Sequence, residues 1–269
     1  CGIELLHSFL LIHDDIIDKD KTRRGKQTLH KLFSQKKSEH FGVSKAIVLG
    51  DIGAFLGYEL IVSSEFSSDR LNKAILVLND FLLKTMYGEM LDIDFDLKKK
   101  ISWDEILKVR TYKTAYYTFV MPLVVGALLG GAKYKSLKLF EGYGVPIGIA
   151  FQLVDDILGV FGDSQNTGKS NENDIREGKK TFLYAKALEL SKGEDKKFLL
   201  RWYGSDKIDK DKITKIRGII KDSGSLDYSQ EIARKMILKG KKFIHKITPD
   251  TKQQETLASL ADYIITRNR

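Results

Sequence analysis

The chain has 269 residues, of which 42% are hydrophobic and 30% charged, a composition typical of a globular protein with a packed core and not of a disordered chain. The single cysteine, Cys1, excludes an internal disulfide and fits a reducing compartment, so we expect a cytoplasmic protein. A net charge of +9 would suit a protein that binds nucleic acid. Most lysines, however, alternate with acidic residues, which is typical of solvated helix faces. No uncharged apolar run is long enough to predict a membrane span, so we expect neither nucleic acid nor an integral membrane position.

Helical periodicity and capping signals predict an all-α chain that forms one domain over residues 1–269. The predicted helices cover Gly2–Asp18, Leu29–Gln35, Ser44–Val62, Arg70–Asp96, a helix capped by Ser102 and Glu105, Lys113–Leu129, Ser136–Phe161, Phe182–Ser191, Asp195–Tyr203, Lys210–Lys221, Ser229–Lys246 and Asp250–Arg269. A basic loop follows the first helix, and Gly162–Lys180 is one long irregular polar stretch whose length suggests a function. The chain begins inside the first predicted helix, so we expect further residues upstream.

The end of the first helix carries three carboxylates, Asp14, Asp15 and Asp18. Asp14 and Asp18 are one turn apart and share a helix face, where like charges repel unless a cation neutralises them. A hard divalent cation such as Mg2+ suits oxygen ligands of this kind. Arg23 and Arg24 follow, and paired guanidinium groups suit phosphate oxygens. Taken alone, such a cluster is more often solvated surface than a metal site.

A second acidic pair repeats this arrangement 141 positions later, counted from Asp14 to Asp155. Asp155 and Asp156 end an apolar helical run that includes Gln152, and two lysines of the irregular stretch, Lys169 and Lys179, come after them. Acidic helix ends that face each other across a helical bundle are a known way to build a metal site. The duplicated arrangement therefore favours a metal site where a single cluster would not.

In this arrangement the sequence resembles the trans-isoprenyl diphosphate synthases, and the resemblance covers essentially the whole chain. The matching motifs are Asp14-Asp15-Ile16-Ile17-Asp18, Arg23-Arg24-Gly25, Gly50-Asp51, Gly88-Glu89-Met90-Leu91-Asp92, Lys113-Thr114-Ala115, Phe151–Asp156 and Gly168–Lys179. Gly159 stands where many members carry a third aspartate, so Asp163 or Asp174 is a candidate replacement. Glu89 stands where glutamine is common. The family's upstream Gly-Lys-x-x-Arg motif has no counterpart, which we attribute to truncation.

The resemblance implies an all-α helical bundle of the isoprenoid synthase type with a central cavity between two Asp-rich helix ends. It implies a prenyltransferase that uses Mg2+, with Mn2+ as an alternative, to ionise an allylic diphosphate (dimethylallyl, geranyl or farnesyl) and to join the resulting carbocation head-to-tail to isopentenyl diphosphate. It also implies a homodimer. The implied metal ligands are Asp14, Asp15, Asp18, Asp155 and Asp156. The implied allylic diphosphate ligands are Arg23, Lys113, Lys169 and Lys179, with Arg24 on isopentenyl diphosphate and with Thr114 and Gln152 beside the carbocation and substrate.

The resemblance also predicts the length of the prenyl product. In the family, bulky residues one turn before the first motif close the tunnel for the growing chain, and Phe9 and Leu10 lie there, five and four positions before Asp14. A single phenylalanine at this place predicts a C20 product, with C15 next.

Three alternative functions stay open. A class I terpene cyclase would release a cyclic hydrocarbon without consuming isopentenyl diphosphate, and a non-catalytic partner subunit would lack turnover. A nucleic-acid-binding helical module would bind DNA or RNA in a salt-sensitive way.

Overall fold

A computed structural model describes residues 1–98, 101–162 and 171–266, and in these ranges the predicted all-α fold is confirmed. The helices are α1 Gly2–Ile17, α2 Leu29–Ser34, α3 Glu39–Val62, α4 Ser68–Asp94, α5 Trp103–Val109, a π-helical segment Arg110–Val120, α6 Met121–Leu129, α7 Leu137–Phe161, α8 Asn173–Glu177, α9 Phe182–Leu190, α10 Gly193–Trp202, α11 Lys210–Asp222, α12 Ser225–Lys241, α13 Ile244–Ile247 and α14 Thr251–Thr266. Short 3-10 turns cover Phe95–Leu97 and Tyr134–Ser136. The residues divide into two compact units, 1–73 and 74–269. The single domain over 1–269 stays a prediction.

In the first unit, α1 packs closely against α3 because glycines of α3 lie at the contact. A Cβ on Gly50 would come within 2.5 Å of Nε2 of His13, and one on Gly57 within 2.9 Å of the Leu6 side chain. His13 also shares a hydrogen bond of 3.2 Å with the carbonyl oxygen of Ile47. The glycines of α3 therefore serve helix packing, and this packing fixes the end of α1 that carries the aspartates.

The basic loop after α1 contains a small hairpin, which the sequence analysis missed. Strand β1 (Thr22–Arg23) pairs antiparallel with β2 (Lys26–Gln27). Arg24 and Gly25 form its turn, with φ angles of 53° and 74°. Left-handed φ at both central residues is what a two-residue hairpin turn requires, and glycine tolerates it without strain. The hairpin places Arg24 at an exposed tip.

Helix starts were predicted with mixed success. The capping box of Ser102 and Glu105 is confirmed, since each side chain bonds the backbone N–H of the other residue. The predicted helix start at Ser44 is wrong, because α3 begins at Glu39 and the Ser38 hydroxyl accepts from Phe41 N at 3.2 Å. The first turn of α3 begins with exposed polar residues, which explains why the apolar periodicity placed the helix start too late.

In the second unit, Trp103–Leu129 is one continuous helical stretch, although the sequence predicted two separate helices. Its middle, the π-helical segment, has the wider i→i+5 winding that is rare in proteins and frequent at functional sites. A Cβ on Gly88 of α4 would lie 2.2 Å from Lys113 N, and one on Gly148 of α7 would lie 2.5 Å from Cα of Ala115. Two glycines thus let α4 and α7 approach the backbone of this segment.

Helix α7 forms the core of the second unit. Tyr143, Ile147 and Ala150 are fully buried, and Phe119 and Ile237 pack in the same cluster. Among the described residues, this helix with the turn before it (Tyr134–Phe161) is long and apolar enough to cross a membrane, with a mean hydropathy of 1.5, yet 56% of the tested window is buried. A core helix has this length and composition, and the packing around α7 is that of a core helix.

Candidate active site

The end of α1 gathers acidic groups around one arginine. Arg23 Nη2 donates to Oδ2 of Asp14 at 2.9 Å, and its Nε donates to Oδ1 of Asp15 at 2.5 Å. Asp20 lies 3.7 Å from the same guanidinium. Asp15 and Asp20 are buried, at 6% and 4% exposure. The hairpin therefore returns Arg23 to the motif that precedes it and fixes Asp15 in place.

The electrostatics of this group follow from burial and from the ion pairs. Burial raises the pKa of Asp15, although the charge of Arg23 and its hydrogen bond act in the opposite direction. Burial also opposes the charge of Arg23, but Asp15, Asp14 and Asp20 together raise the pKa of its guanidinium. Arg23 is thus engaged by carboxylates in this structure, and its contact with a diphosphate stays a prediction.

Two carboxylates of the first motif fit a divalent cation. Asp14 and Asp18 are both partly exposed, and an oxygen of Asp14 lies within 4.8 Å of an oxygen of Asp18. Carboxylate oxygens are the ligands that Mg2+ and Ca2+ prefer, and two oxygens this close suit one cation. Asp15 is the least suited of the three, because it is buried and bonded to Arg23.

In the second unit, Lys113 projects from the π-helical segment into a pair of acids on α4. Its Nζ lies 2.9 Å from an oxygen of Glu89 and 2.9 Å from one of Asp92. The close approach at Gly88, directly before Glu89, lets the segment bring Lys113 to these residues. The predicted motif Gly88–Asp92 and the predicted residue Lys113 therefore lie together, joined by ion pairs.

Next to Lys113, Thr114 begins a line of hydrogen bonds that ends at the second aspartate motif. Thr114 Oγ1 donates to Oε1 of Gln152 at 2.9 Å, and Gln152 Nε2 donates to Oδ1 of Asp156 at 2.9 Å. Arg110 Nη2 donates to the other oxygen of Asp156 at 3.4 Å. The structure thus brings together three residues that the sequence analysis singled out, Thr114, Gln152 and Asp156, and adds Arg110.

The two aspartates of the second motif have different surroundings. Asp155 is exposed, and its carboxylate is suited to a divalent cation. Asp156 is 4% exposed, and both of its oxygens have partners in Gln152 and Arg110. Burial raises the pKa of Asp156 to about 6, against the lowering effects of Arg110 and Gln152. Of the two aspartates, Asp155 is thus the one whose carboxylate is accessible to a cation, and the cation-binding role of both stays a prediction.

The stretch after α7 supplies Lys179, whose Nζ lies 3.5 Å from an oxygen of Glu177 and 3.8 Å from Oδ1 of Asp174. Gly178, with φ of 71°, ends α8, and Tyr203 donates its hydroxyl proton to the carbonyl of Lys179 at 2.8 Å. Lys179 is thus held beside acids on a fixed turn, and its diphosphate contact stays a prediction. Lys169 and Asp163 lie outside the described residues.

Arg110 is a buried charged residue beside the second aspartate motif that the sequence analysis missed. It is 9% exposed, and burial opposes its charge while Asp156, Asp92, Asp174 and Asp155, in that order, raise its pKa. The available signal was spacing: Arg110 precedes Lys113 by three positions and Thr114 by four, which puts all three near one helix face. Arginine side chains are usually exposed even beside apolar residues, so the burial of Arg110 was not predicted.

Comparison with known proteins agrees with this geometry. The sequence model of the family described as polyprenyl synthetase matches residues 1–220. The chain belongs to the polyprenyl synthetase family. A geranylgeranyl diphosphate synthase from Sulfolobus acidocaldarius is 36% identical over 236 residues, which cover 87% of this chain and 68% of the relative. A short chain isoprenyl diphosphate synthase from Methanothermobacter thermautotrophicus is 31% identical, covering 99% of this chain and 78% of the relative.

Solved structures of polyprenyl synthetases share the fold. The geranylgeranyl pyrophosphate synthase from Corynebacterium glutamicum, complexed with isoprenyl diphosphate and magnesium, superimposes with a TM-score of 0.93 at 31% identity, covering 100% of this chain and 78% of that one. The protein from Pyrococcus horikoshii gives a TM-score of 0.86 at 32% identity, covering 99% and 78%. The chain therefore has the isoprenoid synthase fold and is a trans-prenyltransferase. Members of this polyprenyl synthetase family depend on a divalent metal ion.

Proposed function

We propose that this protein condenses an allylic diphosphate with isopentenyl diphosphate head-to-tail in the presence of Mg2+. The observation that supports this most directly is the pair Asp14 and Asp18, whose oxygens lie within 4.8 Å of each other at the end of α1, in a chain of the polyprenyl synthetase family. Mn2+ is the alternative cation, because it accepts the same oxygen ligands. Both aspartate motifs are present, which argues against a non-catalytic partner subunit.

The chemistry needs positive charge at the departing diphosphate and a dry site for the carbocation. Bound divalent cations would stabilise the negative charge that develops as the allylic carbon–oxygen bond breaks. Asp14, Asp18 and Asp155 would hold these cations. The basic groups that we propose to bind and orient the diphosphates are Arg23, Arg24, Lys113, Lys169 and Lys179.

The carbocation itself would be stabilised by neutral dipoles. Thr114 and Gln152 are joined by a hydrogen bond of 2.9 Å and offer hydroxyl and amide oxygens without an anionic charge that could capture the cation. The double bond of isopentenyl diphosphate then attacks the carbocation. The released diphosphate would accept the proton that leaves from the adjacent carbon, so no further protein base is required.

The test is incubation of the protein, extended upstream where the gene encodes more, with isopentenyl diphosphate and each allylic primer in turn. Separate reactions contain Mg2+, Mn2+ or a chelator. We expect prenyl diphosphate products that depend on the cation. A cyclic hydrocarbon formed without consumption of isopentenyl diphosphate would favour the terpene cyclase, and no elongation from any primer would refute the proposal.

We also propose a C20 product, with C15 next. Phe9 is buried at 7% exposure, and its ring packs edge-on against His13 with centroids 4.9 Å apart. Leu10, beside it, is partly buried. A rigid aromatic side chain in this position, one turn before the motif, supports its proposed place as the end of the product tunnel, with Leu10 contributing to the same floor.

Replacing Phe9 by alanine is therefore expected to lengthen the product beyond C20, because the vacated volume gives the growing chain further room. The measurement is chain-length analysis of the products of Phe9→Ala. Leu6→Ala is the matched control: Leu6 is fully buried in the same helix, so its loss weakens packing without altering the proposed floor. Unchanged product length in Phe9→Ala, or equal lengthening in Leu6→Ala, would remove Phe9 from this role.

A second copy of the chain is the partner that we propose. Helix α3 is apolar on most sides, and helices of this kind are normally covered. Yet several of its large side chains are exposed: Phe55 at 76%, Val48 at 57%, Val62 at 53% and Leu60 at 49%. We expect sedimentation to give twice the mass of one chain, and Phe55→Asp to yield monomers. A monomeric unmodified protein at micromolar concentration would contradict this.

A further inference from the structure

The backbone of Lys179 is held at its N–H and at its carbonyl group. The N–H donates to the carbonyl of Asp174 at 2.9 Å, and the carbonyl accepts from the N–H of Thr181 at 2.8 Å. The same carbonyl also accepts the hydroxyl proton of Tyr203 at 2.8 Å. The first two bonds belong to local turns of the chain, whereas Tyr203 follows the end of α10 and lies 24 positions after Lys179. Tyr203 thus provides a long-range contact to this backbone.

The turn that carries Tyr203 packs directly against the turn that carries Lys179. Gly178 and Gly204 have left-handed φ angles of 71° and 76°, and a Cβ on either one would lie 2.8 Å from Cα of the other. The N–H of Gly204 also donates to the carbonyl of Ile175 at 2.9 Å. Glycine permits both the left-handed backbone and this close approach. The two turns therefore meet backbone to backbone, next to the hydrogen bond between Tyr203 and Lys179.

The ring of Tyr203 is fixed as well, so the direction of its hydroxyl group is defined. The ring stacks on that of Tyr184, with centroids 3.8 Å apart and an angle of 13° between the planes. Burial raises the pKa of Tyr203 well above its ordinary value, and the charges of Asp174 and Asp156 act in the same direction. The hydroxyl therefore stays protonated and remains a hydrogen-bond donor.

The side chain of Lys179 is less constrained than its backbone. It is 33% exposed, and its Nζ lies 3.8 Å from Oδ1 of Asp174 and 3.5 Å from an oxygen of Glu177. Binding that must first order a flexible group loses free energy, and a group that is already in place avoids this loss. A fixed backbone therefore limits the region in which the ammonium group can move.

We propose that Tyr203 is a positioning residue for prenyl transfer: its hydroxyl holds the carbonyl of Lys179, so that the ammonium group of Lys179 is placed to bind the diphosphate of the allylic substrate. Tyr203 acts through Lys179 and not by contact with the substrate. The inference rests on the proposed function, because that function supplies the allylic diphosphate and assigns Lys179 to it. The competing explanation is that Tyr203 serves only the packing of α10.

The first test is steady-state elongation by Tyr203→Phe, which loses the hydroxyl and keeps the ring that stacks on Tyr184. We expect kcat/KM for farnesyl diphosphate to fall by about 5-fold, which corresponds to the loss of one hydrogen bond worth about 1 kcal/mol. KM for isopentenyl diphosphate should stay within about 2-fold, because Lys179 is assigned to the other substrate. Tyr184→Phe is the matched control: it leaves the bond to Lys179 in place and should change neither constant.

A double-mutant cycle decides whether Tyr203 acts through Lys179. Lys179→Met removes the ammonium group and keeps most of the side-chain length. In that background we expect Tyr203→Phe to change kcat/KM for farnesyl diphosphate by less than about 2-fold, because no ammonium group is left to position. An equal loss in both backgrounds would overturn the proposal. An equal loss in Tyr184→Phe, an equal effect on both substrates, or a Tyr203→Phe variant that does not fold would also overturn it.

Binding of farnesyl diphosphate with Mg2+ and without isopentenyl diphosphate, measured by calorimetry, gives the same comparison in the absence of elongation. We expect Tyr203→Phe to weaken this binding by about 5-fold, but not in the Lys179→Met background. An unmodified protein that shows this pattern and elongates no primer would refute the proposed function and keep the inference. An elongating protein whose Tyr203→Phe variant binds and reacts normally would keep the function and refute the inference.

Discussion

Replacing Arg110 by methionine is expected to lower the free energy of unfolding by about 3–5 kcal/mol, because removing one partner of a buried ion pair leaves the other charge uncompensated. The pair joins Arg110 to Asp156 across 3.4 Å, and the two residues are 9% and 4% exposed. Methionine keeps most of the side-chain volume, so the loss reports the charge and its hydrogen bond. Urea unfolding followed by circular dichroism measures it.

Two further variants make this result specific. Arg234→Met removes an exposed arginine of α12 and is expected to change the free energy of unfolding by less than about 0.5 kcal/mol. Arg110→Met combined with Asp156→Leu removes both buried charges and is expected to recover most of the loss, as apolar replacements of buried pairs commonly do. A single variant as stable as the unmodified protein, or a double variant no better than the single one, would show that the pair contributes little.

Replacing Asp14 by asparagine is expected to lower kcat/KM for elongation by about 10²–10³-fold, the usual cost of removing one group that stabilises developing charge. The amide is a poorer cation ligand than the carboxylate, and Asp18 alone then remains of the pair. Arg23 keeps its 2.5 Å bond to Asp15, so the hairpin stays attached to α1. The measurement is steady-state elongation over a range of Mg2+ concentrations.

The Mg2+ dependence distinguishes cation loss from damage to the fold. We expect higher Mg2+ to restore part of the rate in Asp14→Asn, because the remaining ligands bind the cation more weakly but still bind it. Asp69→Asn removes an exposed acid whose partner Lys73 lies 2.7 Å away, and it should leave the kinetics unchanged. A rate in Asp14→Asn that equals the unmodified rate would exclude Asp14 as a cation ligand.

Sequence reasoning succeeded where local pattern decides structure. Helical periodicity predicted α1, and Ser102 with Glu105 predicted the start of α5, because periodicity and caps act within a few residues. Sequence reasoning failed where backbone geometry and contacts between distant residues determine the structure. The π winding that joins α5 to α6 has no simple local signature, and the hairpin depends on left-handed φ at Arg24 and Gly25.

The site shows the same division. The pairing of the two aspartate motifs was visible as a repeated pattern, whereas the different surroundings of Asp155 and Asp156 depend on side chains distant in sequence. Arg110 lies 46 positions before Asp156, so their pairing does not show as a local pattern. Spacing along a helix predicts which face a residue lies on. It does not predict whether that face is buried, because burial depends on how the other elements pack against it.

The hydrogen-bond line through Gln152 has a direction. A carboxylate accepts and does not donate, so the amide nitrogen of Gln152 must point to Asp156 and its oxygen must point to Thr114. The hydroxyl of Thr114 therefore donates its proton to the hydrogen bond with Gln152. Only the lone pairs of its oxygen remain for contact with a bound molecule. The buried carboxylate of Asp156, one helical turn after Gln152, thus decides that this hydroxyl can act on a bound molecule only as an electron-pair donor.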